Sequence, residues 1–275
     1  MLEHKWIVYL EQQKQAKFTF EKVDKAELVE VLLANIGDHN AHIRDDLIYP
    51  NLAHLLFDGH FTESELATYL HRLMGDEYLF FDIDNYIDFS VLVRSFSILQ
   101  LAILVAVHNR EGLISERSIK SLYTQFLKYF SEETVFTGYN DSVGWVHAIA
   151  HSADLFNQLM KVSSLGESEL KTMFNAITNK IKTDIYYFQH DEDERLVVAL
   201  KSGLDRDLLD EAFLLRWIDS AASFKQPKEF PARLYITNNV KNLLRSLYFK
   251  LLPEEKYHTL TEAIATKLQE NVKLH

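Results

Sequence analysis

The sequence predicts an all-α protein built as an α-α superhelix of degenerate HEAT-like helical repeats. Only 8 Gly and 4 Pro occur among the 275 residues, whereas a protein rich in β-hairpins needs many residues that tolerate positive φ. Apolar residues recur at helical spacing through most of the chain. A repeat of about 50 residues, described below, favours stacked helix pairs. A compact multi-helix bundle is the alternative fold.

Helices are predicted in succession with short polar connections, and no strand is predicted between them. The predicted helices cover residues 3–16, 24–36, 41–57, 63–74, 86–109, 115–131, 144–161, 167–183, 192–203, 206–224, 231–251 and 254–271. Thr62 stands three residues before Glu65, which is the spacing of a capping box. Pro231 and Pro253 sit where a first helical turn tolerates proline. Pro50 falls inside an apolar helical pattern and therefore predicts a kink or a break.

An internal repeat links several of these helices. An acidic helix start is followed by a basic or imidazole side chain in four places: Asp38 and Arg44, Asp88 and Arg94, Asp141 and His147, and Asp191 and Arg195. The interval between successive pairs is about 50 residues, which is longer than an ordinary HEAT repeat. Because no linker rich in Pro, Gly or Ser interrupts the chain, residues 1–275 are predicted to form a single all-helical domain.

Charge and composition narrow the class of partner and the compartment. The chain has 29 Lys plus Arg against 40 Asp plus Glu, which gives a formal net charge of −11. This balance disfavours binding to nucleic acids and to anionic membrane surfaces. Cysteine is absent, so disulfides and thiolate metal sites are excluded. Because the N-terminus also lacks the apolar core of an export signal, a cytoplasmic location is predicted.

One stretch, residues 89–107, resembles a membrane span in length and contains Arg94 as its only charge. An arginine near the centre of a spanning helix costs about 2.5–3.5 kcal/mol on insertion scales. The stretch is therefore predicted to be a fully buried central helix, and no association with a membrane is expected.

The glycine pattern excludes several chemistries. The nearest two glycines are Gly138 and Gly144, so no Gly-x-Gly fingerprint, Walker A loop or Gly-x-Ser-x-Gly elbow can form. The acidic stretch 76–88 invites a calcium interpretation, but Ile87 occupies the position at which an EF-hand loop starting at Asp82 requires glycine. A solvated loop between helices is predicted there instead.

The segment from Gly144 to Asp154 is the best candidate for chemistry. If residues 144–161 are helical, His147, His151 and Asp154 project along one stripe. Trp145 is a further candidate for the ligand-binding groove. Two imidazoles and a carboxylate suit zinc, iron or manganese if another helix supplies a further ligand. The alternative interpretation is that these side chains are hydrogen-bonded residues of a core or groove.

Arg44 and Arg94 occupy equivalent positions in the proposed repeat. They could line a groove with His147 and His151, next to Asp45, and hold a protein, a peptide or a small anionic ligand. They could instead form buried ion pairs that fix the fold. A non-enzymatic binding protein is the first hypothesis, and no cofactor is expected. The alternative is a hydrolase that uses a divalent metal.

Five short motifs resemble those of a bacterial family of helical proteins known only as a domain of unknown function. They are Ile43-Arg44-Asp45-Asp46-Leu47, Arg94-Ser95-Phe96-Ser97, the Gly-Trp-x-His-Ala-x-Ala-His-x-Ala-Asp segment at 144–154, Glu194-Arg195-Leu196-Val197, and Ser202-Gly203-Leu204. The resemblance covers roughly residues 30–220. It implies an all-helical, repeat-like fold in a cytosolic bacterial protein, and it implies no activity and no catalytic residues.

Overall fold

A computed structural model describes residues 2–21, 23–84 and 89–272, and it is predominantly helical. The all-α prediction is therefore confirmed. Contacts between residues divide the chain into two compact units, Met1–Leu155 and Phe156–His275, with the boundary inside one helix. The single domain over 1–275 stays a prediction. The HEAT-like superhelix is not confirmed, and Asp88 of the proposed repeat lies outside the described residues.

The first unit contains six helices, a π-helix and a hairpin in the residues described. In chain order these are α1 (His4–Gln15), α2 (Lys25–Ala34), the π-helix His42–Ile48, α3 (Tyr49–Phe57), α4 (Glu63–Leu73), α5 (Val91–Glu111), α6 (Glu116–Glu132), β1 (Tyr139–Asn140) and β2 (Gly144–Trp145). The helix α7 (Ala148–Lys161) begins in this unit and ends in the second.

The described secondary-structure elements of the second unit are all helices. It continues with α8 (Glu167–Ile181), α9 (Glu192–Leu204), α10 (Glu211–Ala222), α11 (Ala232–Leu251), a short 3-10 helix (Glu255–Tyr257) and α12 (His258–Val272). Helix α11 packs against α9 and α12, and α10 packs against α12. Gly203 of α9 makes close packing possible, because an added Cβ would lie 2.7 Å from the Phe174 ring.

Helix positions agree closely with the sequence prediction, because apolar periodicity and caps coincide at most ends. The predicted capping box is present: the Thr62 hydroxyl accepts from the Glu65 amide at 3.3 Å, and the Glu65 carboxylate accepts from the Thr62 amide at 2.7 Å. The helix predicted over 206–224 begins only at Glu211, where Asp210 caps the Phe213 amide. For the helix predicted from residue 86, residues 86–88 lie outside the described part.

Pro50 does not break its helix, although it marks a change in helical geometry. Residues His42–Ile48 form a π-helix, and the α-helix α3 follows at once, with Pro50 in its first turn. The Tyr49 amide bonds the Arg44 carbonyl, five residues earlier. Pro50 carries no amide hydrogen, so the hydrogen-bond pattern can switch at this position without losing a donor.

The predicted helix 144–161 was wrong at its start. Gly144 and Trp145 form a strand, and Tyr139 pairs with Trp145 across an antiparallel hairpin that the sequence did not predict. Gly144 has a φ of +75° and His147 a φ of +51°, both outside the helical region. Helix α7 therefore starts at Ala148, and His147 immediately precedes it.

Helix α5 is the core of the first unit. Most of its side chains are buried, and the buried ones lie on all faces of the helix. It packs against α3 and α4. It is long and apolar enough to cross a membrane, yet 78% of its most apolar window is buried inside the protein. Such burial is typical of a core helix, and the location of the protein relative to a membrane stays a prediction. The hairpin packs on the start of α5 through Val143 and Val146, which contact Val91 and Leu92.

Candidate functional site

Arg44 is completely buried and ties three segments of the first unit together. Its Nε donates to the Asp45 carboxylate at 2.9 Å, and its Nη1 donates to the Asp38 carbonyl at 2.7 Å. Its Nη2 donates to the carbonyls of Val143 and Trp145 at 2.8 and 3.1 Å. Burial lowers the pKa of Arg44 and raises the pKa of Asp45. The guanidinium therefore fastens the hairpin to the π-helix and faces no open groove.

Gly144 makes this attachment possible. A Cβ at this position would lie 2.9 Å from the Ala41 Cβ and 3.7 Å from Arg44 Nη2. Because the residue also has positive φ, glycine is favoured here by both conformation and space. The ring of Phe96 lies below the guanidinium, with Arg44 Cζ 4.8 Å from the ring centroid.

Arg94 forms a second buried cluster. Its Nε and Nη2 donate to the two oxygens of Glu133 at 2.7 and 3.0 Å, in a bidentate ion pair. Its Nη1 donates to the Phe81 carbonyl at 2.8 Å. The Tyr129 hydroxyl and the Val135 amide also donate to the Glu133 carboxylate. Although burial acts to lower the pKa of Arg94, the Glu133 carboxylate holds it above its ordinary value.

The two histidines lie side by side beneath the hairpin, with ring centroids 5.6 Å apart. The imidazole of His147 stacks on the indole of Trp145 at 4.4 Å, and the ring of His151 meets the edge or face of Phe96 at 5.1 Å. Both histidines are buried, whereas Trp145 is 43% exposed. The imidazoles therefore belong to an aromatic stack rather than to an exposed stripe.

His151 joins α5 to the end of the hairpin. Its Nδ1 lies 2.9 Å from Ser95 Oγ and 3.2 Å from the Ser95 carbonyl. The Ser95 hydroxyl donates to the Val146 carbonyl, so the hydrogen-bond network assigns the proton of the imidazole to Nδ1.

Asp154 is half-buried on α7, one turn beyond His151. Among the residues that the structure describes, no group of three or more His, Cys, Asp or Glu side chains is arranged to hold a metal ion. His147 also precedes the helix, so the predicted helical stripe of three ligands does not form as such. The metal-dependent alternative gains no support from this geometry.

A pocket of about 480 Å³ opens on the first unit, next to both arginine clusters. It is lined by residues 33–39 at the end of α2 and the following loop, by Glu77, Tyr78 and Phe81, and by Val93 at the start of α5. We call it the Asp38 pocket. The carbonyl of Asp38 is fixed by Arg44 and that of Phe81 by Arg94. The two buried arginines therefore fix the backbone of the pocket wall at Asp38 and at Phe81.

The lining of the Asp38 pocket combines two acidic residues with aliphatic and aromatic residues. Within the described part of the chain, it contains Asp38 and Glu77 and no Lys or Arg. Asp38 accepts a hydrogen bond from the Asn40 amide at 2.8 Å. His39 is exposed at the rim, where its ring contacts Phe89 at 5.3 Å. The pocket thus has two acidic residues in its lining, together with the aromatic residues Tyr78 and Phe81.

The sequence identified some of these residues and missed others. It singled out Arg44, Arg94 and Asp38, and it placed Glu77 in a solvated acidic loop. It missed Glu133, because an ion pair across 39 residues leaves no local signal. A buried arginine in an apolar helix requires a carboxylate partner. Arg94 therefore indicated that such a partner exists, but not which residue supplies it.

These observations define an all-helical protein with two buried arginine clusters and an acidic pocket. The chain belongs to the family described as "Protein of unknown function (DUF2785)", whose model matches residues 79–249, more than half of the chain. The predicted resemblance is therefore confirmed. The matched range includes Arg94, Glu133 and the hairpin, whereas Asp38 and Arg44 precede it. No curated protein and no solved structure matches the chain significantly.

Proposed function

We propose that this protein is a binding protein that holds a cationic group, such as the Lys or Arg side chain of a peptide, in the Asp38 pocket. One observation carries the proposal: a cavity of about 480 Å³ has Asp38 and Glu77 as its charged lining residues. Its volume lies within the range of about 300–1,000 Å³ that is usual for ligand pockets. The binding hypothesis from the sequence is kept, but the proposed site is the Asp38 pocket and no longer the groove predicted around the arginines and histidines.

Charge complementarity favours a cation. Neither Asp38 nor Glu77 forms an ion pair at bonding distance among the described residues. One oxygen of Asp38 accepts from the Asn40 amide, and the carboxylate also attracts the Arg44 guanidinium. In the described part of the chain, this leaves the second oxygen of Asp38 and the carboxylate of Glu77 for a ligand. The three arginines nearby already have partners, because Arg44 pairs with Asp45, Arg94 with Glu133, and Arg72 with Glu30. The formal net charge of −11 adds a long-range attraction for cations.

The aromatic lining fits the same ligand. A guanidinium or ammonium group gains from lying over an aromatic face, and Phe81 lies on the pocket wall. The ring of Tyr78 already has a cation over it, because Arg72 Cζ lies 5.4 Å from the ring centroid. An anionic ligand would meet two carboxylates and no available guanidinium, so the peptide partner is preferred over the small anion. A cytoplasmic location is part of this proposal, since the absence of cysteine suits a reducing compartment.

The proposal is tested by NMR with Nα-acetyl-L-argininamide as the probe and Nα-acetyl-L-alaninamide as its neutral match. We expect saturable shifts of the His39 and Val93 signals with the arginine probe, which weaken as salt is added. Asp38→Asn keeps the acceptor for the Asn40 amide, and Glu77→Gln keeps the shape of the side chain. Each should weaken binding about tenfold.

Glu132→Gln is the matched control, because it removes one exposed carboxylate from the same unit at the end of α6. It should leave the affinity within about twofold of the unmodified chain. Equal shifts with the neutral probe, or equal losses in all three variants, would contradict the proposal.

A further inference from the structure

Helix α11 presents a row of apolar and basic side chains at the surface of the second unit. Its opposite face is buried, and α9 and α12 pack against this helix. Spacings of 3, 4 and 7 residues relate the members of the row, so they lie along one face of the helix. We call this set the α11 row. Its members, all partly or fully exposed, are Leu234, Lys241, Arg245, Tyr248, Phe249 and Leu252.

The basic centre of the row is not neutralised within the described part of the chain. Helix α11 contains four Lys and Arg residues and no Asp or Glu. The side chains of Lys241 and Arg245 form no ion pair with another residue that the structure describes. By contrast, Lys267 of α12 pairs with Asp219 and Glu270. The centre of the row therefore offers two cations, one helical turn apart, to a partner.

The two ends of the row are apolar. Phe249 and Leu252 are 68% and 53% exposed, and Leu234 at the other end is 39% exposed. The Tyr248 ring lies beside that of Phe249, with centroids 5.2 Å apart. From Leu234 to Leu252 the row covers 18 residues, which is about 27 Å at the rise of an α-helix. A complementary partner would carry carboxylates between two apolar ends over the same length.

We propose that the α11 row is the docking surface for an acidic amphipathic helix of a partner protein. Two carboxylates four residues apart on that helix would face Lys241 and Arg245. Apolar side chains at its two ends would pack on Leu234 and on Phe249, in the way that amphipathic helices anchor in other complexes. The surface lies in the second unit and does not depend on the cation site of the Asp38 pocket.

The order of groups along the row favours a helix over a lipid surface or a nucleic acid. A helix that lies on a membrane separates its apolar face from its charged face, whereas the α11 row has cations between its apolar ends. The phosphate backbone of a nucleic acid offers charge but no apolar surface for Phe249 and Leu252. The formal net charge of −11 also disfavours an extended polyanion. An acidic helix would meet the two cations at contact distance, where salt screens the attraction least.

The test measures the binding of synthetic peptides to the full chain by fluorescence anisotropy. The acidic probe is a helical peptide of the length of the row, with leucines at both ends of one face and two glutamates between them at the spacing of Lys241 and Arg245. The neutral probe has glutamines in place of the glutamates. A third probe carries the two glutamates on the opposite face. We expect the acidic probe to bind about tenfold more tightly than either other probe, and this preference should weaken as salt is added.

Two variants separate the charged and apolar parts of the row. Lys241→Gln with Arg245→Gln should bind the acidic and neutral probes alike, because both central cations are gone. Phe249→Ser should weaken both probes about three- to tenfold, because the exposed ring is lost. The matched control, Lys161→Gln with Arg216→Gln, removes two exposed cations of α7 and α10 and should change no affinity. These surface substitutions should leave the thermal unfolding midpoint unchanged.

Absence of saturable binding by the acidic probe up to about 1 mM would overturn the proposal, and so would an equal loss of affinity in the control variant. The same preparations are tested with phosphatidylserine vesicles, with a single-stranded oligonucleotide and for self-association by sedimentation. Tighter binding of the vesicles or the oligonucleotide than of the acidic probe would assign the row to another partner and overturn the proposal. Self-association that is lost in the Lys241→Gln, Arg245→Gln variant would assign it to a second copy of the chain, with the same consequence.

Discussion

Replacing Arg94 by Met removes the cation of the buried pair with Glu133 while keeping an unbranched side chain in α5. Arg94 and Glu133 have side-chain exposures of 3% and 1%. The change breaks four hydrogen bonds, two to Glu133 and one each to the Phe81 carbonyl and Ser90 Oγ. It leaves a buried carboxylate without its cation, although the Tyr129 hydroxyl and the Val135 amide still donate to it.

The expected loss in the free energy of unfolding is about 3–5 kcal/mol, because removing one member of a buried pair strands the other charge. A typical domain is stable by only about 5–15 kcal/mol, so this loss is a large fraction. The matched control is Arg110→Met, which breaks an exposed pair with Glu111 and an exposed hydrogen bond to the Phe57 carbonyl. Exposed pairs are worth about 1 kcal/mol or less, so the control should differ little from the unmodified chain.

The measurement is urea unfolding followed by circular dichroism, together with hydrogen exchange of the α5 amides, which reports on the first unit by itself. The double variant Arg94→Met, Glu133→Leu should cost less than the sum of its single changes, because it leaves no unpaired charge. The reasoning is refuted if Arg94→Met costs no more than Arg110→Met, or if the two single costs simply add.

Three further changes test other features. Gln100 is fully buried in α5, and neither of its amide atoms has a hydrogen-bond partner in the described part of the chain; Gln100→Met should therefore raise the free energy of unfolding by about 1–3 kcal/mol, and an unchanged or lower urea midpoint would contradict this. Gly144→Ala should lower the free energy of unfolding by about 1–3 kcal/mol, since it combines a φ of +75° with a Cβ 2.9 Å from that of Ala41; a neutral effect in urea unfolding would show that the hairpin adjusts. Burial raises the pKa of the Glu192 carboxyl above its ordinary value of 4.5. The folded state therefore binds the carboxyl proton more tightly than the unfolded state, and the free energy of unfolding falls as pH rises from 4.5 through the higher pKa of the folded state. Glu192→Gln should therefore exceed the unmodified chain in thermal stability at neutral pH and lose this advantage below pH 4.5, and a pH-independent difference would argue against the cause.

The helices could be predicted because their signals are local. Thr62 and Glu65 predict the start of α4 from a stretch of four residues. Helix α5 is predicted by one long apolar stretch around Arg94. The hairpin could not be predicted in this way. Two strands of two residues give no measurable alternation, and the positive φ of His147 leaves no signal in the sequence.

The site was harder to predict because its parts come from distant segments. The sequence identified both arginines, but a guanidinium looks the same in sequence whether it faces a ligand or a buried carboxylate. The outcome depends on Glu133, which lies 39 residues from Arg94, and on carbonyl groups of the hairpin about 100 residues from Arg44. Only the fold shows that these charges are already satisfied.

These internal contacts bear on the proposed cation site. With Arg44 and Arg94 committed to internal contacts, the acidic residues that line the Asp38 pocket are Asp38 and Glu77. The arginines contribute to the pocket indirectly, because they fix the carbonyls of Asp38 and Phe81 in its wall. A change at either arginine should therefore affect binding through the shape of the pocket.

Isothermal titration of the full chain with Nα-acetyl-L-argininamide tests whether the protein binds a cationic group in the Asp38 pocket. We predict saturable one-to-one binding that weakens as salt is raised, with no saturable binding of the alanine analogue or of inorganic phosphate. Absence of saturation by the arginine probe up to about 10 mM, a concentration that would reveal even a free energy of about −3 kcal/mol, would contradict it. Tighter binding of phosphate than of the arginine probe would contradict it as well.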